Sequence, residues 1–170
     1  MAEDNSKMHY LNVGLTGLNG RHHPALGGII STQEVKKCRI HLKMLAGDYF
    51  TYEVKANQSG GSPHCRCCPY PSPAENLEHI LTSCVMYSDI RIRIKSEYEE
   101  ACKLAKSDIC FKQICGQNSS FCQFILDPAS FNLKTRVHMN DPILGTLFKI
   151  TRDFCYAVNS KRMKTLSEKS

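Results

Sequence analysis

Four residues constrain this chain more than any others: Cys65, Cys68, His79 and Cys84, spaced Cys-x2-Cys-x10-His-x4-Cys. A tetrahedral Zn2+ site needs four ligands converging on one point, and a Cys-x2-Cys turn aims two thiolates together. The residues between suit that task. Pro69 to Pro73 is a Pro/Ser loop, and Ser72-Pro73-Ala74-Glu75 reads as a capping box with proline at the first helical position. That pattern predicts a helix from Pro73 to about Thr82. His79 would sit on it beside Leu77 and Ile80 or Leu81. His79 and Cys84 are five positions apart, which does not place them on one helical face, so the helix should end near Ser83. A set of buried free cysteines and a capped histidine is the blander account, and agreement between spacing, turn and helix signals weighs against it. A Cys65–Cys67 register stays open, though geometrically poorer, as does His64 in place of a thiol.

With 170 residues, the chain has the length of one domain, or of a small domain with extensions. No apolar run is long enough for a membrane span and the first residues lack signal-peptide character. The expected compartment is therefore intracellular, nucleus or cytoplasm, without membrane association. Thiols stay reduced there, so the ten cysteines read as three or four metal ligands plus buried thiols rather than as five disulfides. A formal net charge of +6 permits a polyanionic partner without requiring one.

Residues 1–30 read as a flexible arm rich in glycine. Within it Arg21-His22-His23-Pro24 has no third ligand nearby, and a loop with solvated histidines is the favoured reading. Residues 31–56 form a basic helical segment. Ser31-Thr32-Gln33-Glu34 is a second capping box; Val35, Cys38, Leu42 and Leu45 follow at helical spacing, and Gly47 is the expected stop. The other faces of that helix carry Lys36, Lys37, Arg39, His41 and Lys43, the densest basic cluster in the chain. A short second helix is expected from Asp48 to Ala56. Residues 57–106 form the zinc-binding segment, closing with a long helix from Ser88 to Lys106 that begins with Arg91, Arg93 and Lys95. Residues 107–170 form a C-terminal helical segment. It should contain helices at 108–115 and 120–126, a loop over 129–140, and a last amphipathic helix from Asp141-Pro142 onward. With no β alternation, the fold class is mainly α: a small irregular helical domain organised around a Cys3His zinc site.

Structural zinc contributes on the order of 10–16 kcal/mol in small peptides, against a net domain stability of about 5–15 kcal/mol. Bound Zn2+ would therefore decide whether the central segment folds. Four protein ligands leave no open position for water, which argues against a catalytic metal. Three thiolates and a neutral imidazole leave the loaded site with a formal charge of −1, which Arg66 or Arg91 could offset. Between Asn57 and Arg91 these are the only Lys or Arg residues, against Glu75, Glu78 and Asp89. Polyanion binding should thus come from the flanks, with Lys36, Lys37, Arg39 and Lys43 on one side, Arg91, Arg93 and Lys95 on the other, and 161–164 adding to them. Tyr70 and Tyr87 border the site and are candidates for stacking on bases.

Ser59-Gly60-Gly61-Ser62-Pro63-His64-Cys65-Arg66-x-Cys68 followed by Glu75-Asn76-Leu77-Glu78-His79-Ile80-Leu81-x-x-Cys84 resembles the reverse-transcriptase-associated zinc-binding region of non-long-terminal-repeat, jockey-like retrotransposons. The similarity extends to 17–26, 35–49, 123–128 and 152–162. The resemblance implies that Cys65, Cys68, His79 and Cys84 are the zinc ligands. It also implies binding of RNA or DNA, and association with a reverse transcriptase. The Tyr-x-Asp-Asp carboxylate pair of the polymerase is absent, as is an endonuclease. The expectation is a non-catalytic C-terminal remnant of such a polyprotein. The alternative is a structural or protein-interaction domain in which zinc serves folding alone. An enzyme acting through Cys67 lacks any orienting acid or base at a recognisable spacing.

Overall fold

The computed structural model describes residues 24–104, 114–129 and 141–168. The expectations for Arg21-His22-His23, for most of the helix at 108–115 and for the loop before Asp141 lie outside these residues. A 3-10 turn, Pro24–Leu26, leads to α1 (Thr32–Leu45), α2 (Tyr52–Ser59) and α3 (Leu77–Thr82). A second 3-10 turn, Val85–Tyr87, feeds α4 (Ser88–Leu104), followed by α5 (Asn118–Leu126) and α6 (Asp141–Glu168). The described residues are mainly helical, and their only β pairing is an isolated antiparallel bridge between His64 and Ala74. None of their helices is long and apolar enough to cross a membrane.

Local chemistry explains most element ends. Ser31 accepts a hydrogen bond from the Glu34 amide at the start of α1. At its end Gly47 takes φ 71°, while the Asp48 amide reaches back to the Lys43 carbonyl and the Gly47 amide to that of Met44. That paired arrangement needs a left-handed residue, which glycine supplies without strain. The second helix starts later than expected, at Tyr52, because Thr51 caps it by accepting from the Val54 amide.

Helix α6 is the spine, with α1 and α4 both packed along it and α3 resting on α5. Phe148, Phe154, Leu147 and Val158 of α6 are fully buried, as are Phe121, Phe124 and Ile125 of α5 and Tyr98 of α4. The Tyr98 and Phe124 rings meet edge-on at 5.2 Å. The last carbonyls of a helix have no partner within it; in α5, other helices supply them. Thr151 donates to the Ile125 carbonyl and receives the Tyr98 hydroxyl, and His41 Nε2 donates to the Leu126 carbonyl at 2.7 Å. His41 therefore does not belong to the exposed basic face of α1. It is a buried tie between α1 and α5.

Candidate metal centre

The site begins with a staple rather than a helix. The Cys65 amide donates to the Pro73 carbonyl at 2.9 Å and the Glu75 amide to the Pro63 carbonyl at 2.7 Å. This pairing draws the two ends of the Pro/Ser loop together and presents Cys65 and Cys68 from one turn. It also corrects the helix expected from Pro73, since residues 73–75 are held extended and α3 begins at Leu77. Asn76, not Ser72, is the cap, accepting from the His79 amide at 2.8 Å. Glu75 has another task. Its carboxylate is buried, accepts from the Tyr52 amide at 3.1 Å, and pairs with Arg162 of α6 at 2.6 Å.

His79 is the pivot on the far side of the site. Its amide is held by Asn76, and its carbonyl accepts the amides of both Ser83 and Cys84. Helix α3 thereby ends within one turn of the histidine, as the spacing required, and Cys84 swings back toward the first two thiols.

The ligand atoms of Cys65, Cys68, His79 and Cys84 all lie within 4.8 Å of one another. Sγ of Cys65 and Cys84 are 3.8 Å apart, Sγ of Cys68 and Cys84 3.9 Å, and Cys68 Sγ lies 3.4 Å from His79 Nε2. A tetrahedron with metal–sulfur bonds of ~2.3 Å and a metal–nitrogen bond of ~2.0–2.1 Å has edges of about 3.8 Å between sulfurs and about 3.6 Å from sulfur to nitrogen. The cluster has the dimensions of a closed four-coordinate metal site. Among the described residues it is the one such grouping. Cys67 and the exposed His64 lie outside it. None of the nine described cysteines is in a disulfide.

The surroundings prepare these atoms for a cation. With Nε2 directed into the cluster, His79 Nδ1 carries the proton and donates it to Ser83 Oγ at 3.0 Å. A hydrogen bond on the second ring nitrogen fixes the tautomer and orients the imidazole for a metal. Burial pushes the His79 imidazole toward its neutral form. Burial also pushes the Cys65 and Cys84 thiols up, opposed by the backbone amides of Cys67 and Cys68 at Cys65 and of Met86 at Cys84. Amides aimed at sulfur favour thiolate, and a bound cation deprotonates a coordinating thiol outright.

The other singled-out residues divide sharply. Lys36, Arg39 and Lys43 are exposed on α1. Lys37 is drawn inward between Glu34 and Asp153, at 2.8 and 2.6 Å. On α4, Arg93 pairs with Glu97, Lys95 lies over the Phe121 ring, and Arg91 is buried with only 9 % exposure. Arg66 sits over the Tyr52 ring at 4.7 Å. Lys161 is bound to Asp89 and Arg162 to Glu75, so most of the basic C-terminal flank is committed within the fold. Tyr70 is fully open to solvent and Tyr87 is buried.

Comparison with protein-family models, curated proteins and solved structures found no match. The chemistry of the site therefore rests on its own geometry. Two features escaped sequence reading. Ser83 carried a faint signal, a hydroxyl four residues after the histidine on the same helix. Arg162 carried none, because its partner Glu75 is 87 positions away.

Proposed function

We propose that this chain is a non-catalytic zinc module that binds nucleic-acid phosphates through α1. Three thiolates and one imidazole in a closed tetrahedron are the ligand set of structural Zn2+, which has no preferred geometry to be offended and no open position for chemistry. The resemblance to the zinc-binding region of non-long-terminal-repeat retrotransposons supports the same reading, with a reverse transcriptase as the associated partner.

One observation carries the nucleic-acid reading. Lys36, Arg39 and Lys43 fall three and four residues apart, share a helix face, and form no ion pair among the described residues. The cations elsewhere on the flanks are mostly engaged. A stripe of unneutralised charge in an ordered helix matches phosphates spaced along a backbone.

The test is a salt titration of binding to single-stranded RNA, single-stranded DNA and duplex DNA, with and without chelator. Affinity should fall steeply with salt. Replacing all three cations by alanine should reduce the log–log slope by about 2–3, since each lost phosphate contact removes roughly 0.7–0.9. Binding that ignores salt, or a triple variant that binds like the parent, contradicts the proposal.

A second reading, docking of a protein, draws on the groove beside this stripe. Its apolar lining is Leu26, Ile29, Val35, Cys38, Leu42 and Ala46, with Arg39, Lys43 and Asp48 completing it, and Val35 is 54 % exposed. Under that reading Val35→Ser, which adds no charge beside Arg39, would abolish association with a protein partner and leave the salt titration unchanged.

A further inference from the structure

We propose that Arg91 is the built-in counter-charge of the metal–thiolate cluster, a positioning residue that tunes the metal site without ligating the ion. The inference rests on the zinc reading and deepens it. Arg91 is more than nine-tenths buried, and among the described residues its Nη1 has neither solvent nor a hydrogen-bond partner. A guanidinium has five donors and stays charged at all ordinary pH, so leaving one buried and unsatisfied is costly. A buried cation of this kind calls for an anion close by.

The surroundings identify that anion. Burial works against the Arg91 charge, and the groups near enough to support it in their anionic forms are Cys84, Cys68 and Asp89. Asp89 is two-thirds exposed and already holds Lys161 through both carboxylate oxygens, at 2.8 and 3.0 Å. What remains is the pair of thiols. As neutral thiols they are weak acceptors and do nothing for a buried cation. As metal-bound thiolates they carry the excess negative charge of a Cys3His site, and a single guanidinium brings the whole to neutrality. The path of the chain makes this placement automatic. The turn Val85–Tyr87 runs directly from Cys84 into α4, so Arg91 falls in the first turn of that helix, seven residues after Cys84. Arg66, the other candidate, is exposed and occupied with the Tyr52 ring.

Charge and packing make opposite predictions for two substitutions. Arg91→Lys keeps the charge and gives up the fork; Arg91→Met keeps the apolar stem and gives up the charge. If Arg91 is a counter-charge, Zn2+ affinity measured by chelator competition on the full chain should rank Arg above Lys above Met, with Met about 10–100-fold weaker than the parent. The Co2+-loaded protein provides an independent readout. Loss of a cation beside the thiolates should move the sulfur-to-cobalt charge-transfer band to lower energy in Arg91→Met and much less in Arg91→Lys. Alkylation of the zinc-loaded thiols by iodoacetamide should also be fastest in the Met variant. Equal affinities and an unmoved band, or a ranking with Met above Lys, would overturn the counter-charge and leave the zinc site standing. Failure of the parent chain to take up either Zn2+ or Co2+ would overturn both.

Discussion

At the residue scale, the decisive contact is the hydrogen bond from His79 Nδ1 to Ser83 Oγ. It costs the fold almost nothing, because both residues lie at the end of one short helix, and it commits Nε2 to the ligand cluster. Ser83→Ala should therefore weaken metal binding by about tenfold while leaving the helical circular dichroism intact, since orienting partners of a ligating histidine typically contribute 10–100-fold. Competition against a chromophoric chelator measures it. An unchanged affinity would mean that packing alone orients the ring.

The Cys3His grouping was legible in the sequence for a simple reason. Cys65, Cys68, His79 and Cys84 are fixed by local turns, so spacing alone nearly specifies them. Residues whose roles depend on distant partners were not legible. His41 reads as one more cation on a basic helix until the Leu126 carbonyl arrives from 85 positions away. Lys37 reads as a phosphate contact until Asp153 takes it.

At the scale of elements, the α1, α5 and α6 assignments follow from caps and periodicity: the structure has α1 and α5 within a few residues of the expected bounds and starts α6 at Asp141 as expected, while α6 continues to Glu168 through residues that read as a polar tail. The start of α3 does not follow from them. Ser72-Pro73-Ala74-Glu75 has every local mark of a helix start. Tertiary structure uses Glu75 differently, as the buried partner of Arg162 and the acceptor for the Tyr52 amide. Local propensity favours a cap by about 1 kcal/mol, whereas an uncompensated buried charge costs several. Pairing the buried charge therefore takes precedence over the cap.

The Glu75–Arg162 pair bolts α6 to the metal loop, both side chains being almost fully buried. Removing either partner alone, as Glu75→Gln or Arg162→Met, should destabilise the protein by roughly 3–5 kcal/mol, because the other charge is left stranded. The double variant should lose clearly less than the sum. Urea unfolding of the four proteins completes the cycle, and additive losses would show that the two residues act separately.

At the scale of the molecule, two polar clusters flank the apolar core. One is the metal site, between the central loop and α3. The other is the ionic seam between α1 and α6, where Glu34, Lys37, Lys149, Arg152 and Asp153 meet. Hydrogen bonding from Lys37 holds the Glu34 carboxyl below its usual range. Burial pushes the Asp153 carboxyl up, but hydrogen bonds from Lys37 and Lys149 outweigh it and hold that group low as well. Carboxyls depressed in the folded state contribute stability that is present above their unfolded values, about pH 4, and lost as pH falls through the folded ones. Lys37→Met should therefore be less stable than the parent near neutrality. The difference should shrink as pH falls from about 5 toward 3. Comparing the two proteins at each pH cancels the loss of metal that acid also causes. A gap that stays constant would show that the seam's carboxyls are not held low by Lys37.

The central claim is that one metal ion, held by Cys65, Cys68, His79 and Cys84, pins the helical frame. Native mass spectrometry of the full chain after equilibration with Zn2+ tests it most directly. One zinc per chain is expected, lost completely in both Cys68→Ser and His79→Ala and retained in Cys67→Ser. A chain that carries no zinc, or variants at Cys68 and His79 that keep it, would contradict the claim.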